Sequence, residues 1–145
     1  MGWLDKLVGK SEMIKDLDHV AIVVSDMDRA IEFYTQILEL KLILDGRLNG
    51  GEKKSFVGTK SKAIIALSEN KNRSLQKGEY AGGVNHVAFG VDDIEKSRQV
   101  LKDKGIEFIE IKMGDDGKAK AYHFLDPDGL ELEICSNTGE EVPQY

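Results

Sequence analysis

Between Leu130 and Cys135 apolar and polar positions alternate. Leu130, Leu132 and Ile134 fall on one side and Glu131, Glu133 and Cys135 on the other, which predicts a half-buried strand with two carboxylates on its open face. The preceding Asp126-Pro127-Asp128-Gly129 fits a type I turn, with Pro127 presetting φ at the second position and Gly129 closing the fourth. Upstream, the chain repeats its own pattern. HVAIVVSDMDRAIEFY begins at His19 and HVAFGVDDIEKSRQVL at His86, so at a constant offset of 67 residues Val24 matches Val91 and Asp26 matches Asp93.

Each copy opens with an apolar strand, about 17 to 24 and about 84 to 91, and passes through an acidic cap into a helix. The spacings Ser25 to Asp28 and Asp92 to Glu95 predict capping boxes. Met27, Ala30, Ile31, Phe33, Tyr34 and Leu38 make the apolar stripe of the first helix; Ile94, Val100 and Leu101 make that of the second, which Gly105 is placed to end. Strand-like segments near 40 to 45, 53 to 58 and 62 to 68 complete the first copy, and segments near 106 to 112, 120 to 125 and 130 to 135 the second. The predicted order is βαβββ twice. That is an α+β fold, two tandem modules forming a cupped mixed β-sheet with helices on the outside.

The modules span about 16–69 and 84–135, within one domain of 16–135, joined by the polar, glycine-bearing ENKNRSLQKGEYAGG. Residues 136–145 read as a frayed tail. Residues 1–15 form an extension in which Trp3, Leu4, Leu7 and Val8 recur at helical spacing, read as a short helix packing on the domain or a dimer partner rather than a membrane anchor.

The faces carry the chemistry. Val20, Ile22 and Val24 share one face of the first strand, and Val87, Phe89 and Val91 the matching face of its repeat, both bulky enough to pack under a helix. His19 with Ala21 and Val23, and His86 with Ala88 and Gly90, lie on the opposite face, where small neighbours beside a histidine suit a lined cavity. Two histidines at the same phase of duplicated units, with a carboxylate on the matching face of the last strand, favour metal binding over a structural role. Two imidazoles and one carboxylate leave open positions on Fe, Mn, Co, Ni or Zn, as a catalytic site requires.

With 145 residues the chain is one domain's worth, and its net charge of -6 argues against a nucleic-acid partner. The single cysteine excludes an intrachain disulfide and fits a reducing, cytoplasmic setting; no apolar run approaches a membrane span.

LDHVAIVVSDMDRAIEFYTQILEL, VNHVAFGVDDIEKSRQVLKDKGIEF and FLDPDGLELEI together resemble the vicinal oxygen chelate superfamily, the group of glyoxalase I, fosfomycin thiol transferases, methylmalonyl-CoA epimerases, extradiol dioxygenases and bleomycin-resistance proteins. The resemblance covers about residues 16 to 135. It implies metal ligands at His19, His86 and Glu133, with Glu131 solvated or behind the ligands. It also implies a homodimer in which His19 comes from one subunit and His86 with Glu133 from the other, so that sites lie at the subunit interface. A small-molecule substrate would chelate the metal through adjacent oxygens, with Ala21, Ala66, Ala88 and His123 lining its place.

The offset of 67 carries Glu133 onto Ala66, where glyoxalase I enzymes place a glutamate; alanine neither binds metal nor moves a proton, which argues against glyoxalase activity. Glu69, three residues on, falls on the wrong face and in the loop. Fosfomycin transferases and extradiol dioxygenases carry tyrosine where this chain has His123. His123 is either a hydrogen-bonding or acid/base group at the substrate or a strand histidine without ligand contact. Cys135 is read as a small buried strand residue. Two functions result: a metal-dependent glyoxalase/dioxygenase-like enzyme, or a metal-free binding or antibiotic-sequestering protein of the bleomycin-resistance type, in which those ligand positions are usually replaced.

Overall fold

The computed structural model describes residues 13–14, 16–49, 54–72 and 84–137. The helix expected in residues 1–15, most of the linker and most of the C-terminal tail lie outside them. β1 (Val20–Val24), α1 (Met27–Glu32), β2 (Lys41–Leu44), β3 (Lys54–Gly58) and β4 (Ala63–Glu69) make the first module. β5 (Val87–Val91), α2 (Ile94–Asp103), β6 (Glu110–Met113), β7 (Ala119–Leu125) and β8 (Glu131–Ser136) make the second. The βαβββ order is as expected, and each strand starts within four residues of its expected start.

Each module has its own four-stranded mixed sheet, in the orders β1-β4-β3-β2 and β5-β8-β7-β6. The expected mixed β-structure of two tandem modules is thus built as one four-stranded sheet per module. In both, the first strand pairs in parallel with the last: the helix returns the chain so that the second strand runs in the same direction as the first, and two antiparallel reversals leave the last strand in that direction too. The register places Ala21 beside Ala66, and at the equivalent place Ala88 beside Glu133 and Glu133 beside His123.

The helices start one residue later than the capping boxes predict. Asp26 and Asp93 are the N-caps, their carboxylates accepting from Arg29 N–H and Lys96 N–H. Both lie in extended backbone, so the residue before each still belongs to the strand exit. Glu69 is not in a loop: it ends β4, on the helix side, and its carboxylate accepts from Met27 N–H at 2.8 Å. The two helices finish differently. Gly105, at φ 89°, ends α2 with Ile106 N–H bonded back to Leu101 C=O. α1 runs into a π-helical turn, Phe33–Ile37, and leaves through Glu39 at φ 59°.

The core lies between the sheets and their helices: Ile22, Val24, Met27, Tyr34, Val57, Ile65 and Leu67 from the first module, Leu101, Tyr122, Phe124, Leu132 and Ile134 from the second. The junction between modules is polar and specific. Tyr34 Oη donates to Asp126 at 2.9 Å. Asp128 accepts from Ser25 N–H, Ser25 Oγ and Arg29 Nη2. Both aspartates belong to the 126–129 turn, where Gly129 takes φ 85° and Asp126 Oδ1 also accepts from Asp128 N–H and Leu130 N–H. Burial pushes the Asp126 carboxyl up and the Tyr34 hydroxyl well above its ordinary range. Among the described residues no helix is long and apolar enough to cross a membrane.

Candidate metal centre

β5, β7 and β8 bring three expected residues together on the open face of the second sheet. Glu133 is fully buried in mid-β8, between Ala88 of β5 and His123 of β7. His86, just before β5, sets Nε2 at 2.8 Å from Glu133 Oε2, and His123 sets its Nε2 at 3.2 Å from the same oxygen. The rings lie edge to face with centroids 5.1 Å apart. Together they cover the carboxylate, which is why Glu133 is buried on a face expected to be open.

The other nitrogens are also faced. His86 Nδ1 lies 2.9 Å from Asn85 Oδ1, and His123 Nδ1 lies 3.4 Å from Glu131 Oε2. Glu131 is half-buried, its oxygen 3.8 Å from His86 Nδ1. Ligand atoms of His86, His123 and Glu131 all lie within 4.8 Å of one another. Lys112 and Glu110 pair with each other on β6, Glu110 lying beside His123 in the sheet. Asn85, Lys112 and Glu110 carry no signal in the periodicity, but the position of Glu110 follows once β6 is paired to β7.

His19 is not in this cluster. It stands at the edge of the first sheet with its side chain 42% exposed, Nδ1 2.6 Å from Asp18 Oδ1. Its ring meets Phe56 edge to face at 6.1 Å, as His86 meets His123. Phe56 is what the 67-residue offset assigns to His123, so the repeat pairs a histidine with an aromatic ring in both modules. Ala21 and Ala66 lie side by side on that first sheet, next to Phe56, while Ala88 is beside Glu133 on the second. One chain therefore carries a polar cluster on its second sheet and an apolar patch on its first. Cys135 is half-buried with Sγ 3.7 Å from Phe89 C=O, and burial pushes its thiol up, away from nucleophilic character. Tyr122 faces the core, donating from its hydroxyl to Glu95 at 2.7 Å. An apolar groove of about 630 Å³ between the modules, lined by Val20, Ile64, Val87, Phe89 and Leu101, includes none of the clustered side chains.

Duplicated βαβββ modules with a His/Glu cluster on the open sheet face define a metal-site scaffold of the glyoxalase type. The chain belongs to the Glyoxalase/Bleomycin resistance protein/Dioxygenase superfamily, whose description matches residues 16–134. It is 28% identical over 134 residues to a metallothiol transferase of Staphylococcus epidermidis, covering 91% of this chain and 89% of that protein. It is 31% identical to lactoylglutathione lyase of Schizosaccharomyces pombe, covering 84% of this chain and 47% of the enzyme. The crystal structure of a glyoxalase family protein from Enterococcus faecalis superposes with a TM-score of 0.68 at 29% identity, covering 85% of this chain and 98% of that one.

Proposed function

We propose that this chain is a divalent-metal-dependent enzyme acting on a small oxygenated substrate, with His86 and Glu133 of one copy and His19 of a second copy as ligands. The observation that carries this reading is the buried Glu133 carboxylate with imidazole nitrogens at 2.8 and 3.2 Å from one oxygen. A carboxylate withdrawn from water costs several kcal/mol unless a cation or strong donors compensate it. The nitrogen and oxygen donors suit Fe, Mn, Co, Ni or Zn better than the all-oxygen shells of Ca or Mg. A bound ion of this kind supplies Lewis-acid polarisation of substrate oxygens. The rest falls to the chain. Asn85 engages His86 Nδ1 and so keeps its Nε2 turned to Glu133. Glu131, half-buried beside both imidazoles, is the carboxylate left to hold or move a proton.

The half-site with His19 is apolar: Phe56, Ala66 and Ile64 stand where the second module has His123, Glu133 and Glu131. A substrate held between two such halves carries its chelating oxygens toward one side and an apolar flank toward the other. Ala66 leaves no acid on that wall, which speaks against proton relay across the substrate between two glutamates. The same apolar wall favours a second reading, a metal-free cup that sequesters an apolar ligand.

Elemental analysis of anaerobically purified protein separates the two. The enzyme reading expects about one divalent transition metal per chain, lost in Glu133→Ala. Metal-free protein that stays so after reconstitution, or equal metal in the variant, overturns it.

A further inference from the structure

We propose that His123 is itself a metal ligand, so that the second module offers three donors from one copy: His86 Nε2, His123 Nε2 and Glu133 Oε2. The proposal rests on the metal-dependent reading above and adds a ligand to it, on a strand that contributes none of the three ligands inferred from the sequence.

The first ground is what His123 faces. It is 3% exposed, and neither ring nitrogen makes a hydrogen bond of acceptable geometry. Its Nδ1 looks toward Glu131 Oε2 at 3.4 Å and its Nε2 toward Glu133 Oε2 at 3.2 Å. A neutral imidazole carries one N–H, so one of these approaches sets a ring lone pair against a carboxylate oxygen. A cation held by His123 and Glu133 would relieve that opposition, and His123 Nδ1–H would be left to donate to Glu131. A carboxylate behind a metal-bound histidine in this way fixes the ring and raises its basicity.

The second ground is convergence. His86 and His123 come from strands on either side of β8, yet both direct Nε2 at the same Glu133 oxygen, at 2.8 and 3.2 Å. Donors about 2.1 Å from an octahedral ion lie about 3.0 Å apart along each edge, and those of a tetrahedral ion about 3.4 Å. The two separations to Glu133 Oε2, 2.8 and 3.2 Å, lie close to this scale. The first module supplies the contrast. There the equivalent ring is Phe56, which keeps the edge-to-face contact with its histidine but has no donor, and the equivalent of Glu133 is Ala66. Histidine at 123 and glutamate at 133 occur together in one module and are both missing from the other. As a ligand, His123 is taken out of acid/base work at the substrate, which leaves that task to Glu131.

Cobalt(II) tests this, because exchangeable ring N–H protons of cobalt-bound histidines are strongly shifted in proton NMR. The chain has three histidines, so signals can be assigned by subtraction. In cobalt-loaded His19→Ala the expected result is two shifted ring N–H signals, one of which disappears in His19→Ala/His123→Phe. Affinity for cobalt, measured by competition with a chelator, should fall about tenfold or more in His123→Phe. A single shifted signal in His19→Ala, or His123→Phe binding within twofold of the parent, overturns the proposal. If Glu133→Ala loses cobalt while His123→Phe does not, the metal reading stands and His123 alone is removed from the ligand set. If the parent takes up no cobalt, both fall together.

Discussion

Asp128 concentrates more of the inter-module junction than any other side chain in the 126–129 turn. It is mostly covered and accepts from a backbone N–H, a hydroxyl and a guanidinium of the first module. Charge-assisted hydrogen bonds contribute roughly 1.5–3 kcal/mol each at most and do not add fully, so Asp128→Ala should destabilise the protein by about 2–3 kcal/mol. Denaturant unfolding of parent and variant measures this, and a change below about 0.5 kcal/mol would mean the junction is held by apolar packing alone. Asp45 predicts a pH effect instead. Arg47 hydrogen bonds hold its carboxyl at about 2, below the ordinary carboxylate range. A depressed folded-state pKa contributes stability that is present above about 4 and lost as pH falls toward 2. The difference in Tm between the parent and Asp45→Asn should therefore shrink from pH 5 downward; a constant gap would sink the assignment. These residues also mark how far the sequence can be read. His86 and Glu133 stand out because a repeat and a strand phase place them on one open face. His123 stays ambiguous, since its neighbours Glu131 and Glu133 become neighbours only through the β7–β8 register. Asp126 and Asp128 read as turn residues, and nothing local discloses that they also reach another module.

Strands are the most legible elements, because alternation fixes both their extent and their inward face. Helix ends are less so. A capping box needs only a spacing, and each start offers two adjacent residues able to cap, Ser25 or Asp26 and Asp92 or Asp93; the backbone decides for Asp26 and Asp93, which remain extended while Met27 and Ile94 turn helical. The π-helical turn after α1 has no counterpart in any hydrophobic period. It adds a residue, so the left-handed terminators Glu39 and Gly105 stand 66 rather than 67 residues apart. If Asp26 acts through its carbonyl-type acceptor rather than its charge, Asp26→Asn should be within a few tenths of a kcal/mol of the parent and Asp26→Ala about 1 kcal/mol less stable. Equal losses in both variants, read from urea unfolding, would instead assign the effect to charge at the helix N-terminus.

At the scale of the molecule, the repeat has produced two unlike halves that one chain keeps apart. His19 lies at the exposed edge of the first sheet, and the buried His/Glu cluster lies on the second. The outer strands are apolar and uncovered in both: Leu42, Ile43 and Leu44 in β2, Ile111 and Met113 in β6 are each about two-fifths exposed or more. In the proposed dimer a second copy would cover these rows, and a twofold axis would set each polar cluster against the partner's apolar patch. The consequence can be tested without knowing the substrate. Under the proposed arrangement His19→Ala and Glu133→Ala would damage different halves of a shared site, so in a mixed dimer one composite site would carry both substitutions and the other neither. Equimolar mixing after partial unfolding and refolding puts half of the chains into mixed dimers, each with one intact site. Full-affinity metal sites should then appear at about one per four chains, although neither variant alone shows any. If His19 acted within its own chain, mixing would yield none, and a parent protein that sediments as a monomer would independently exclude a site shared between copies.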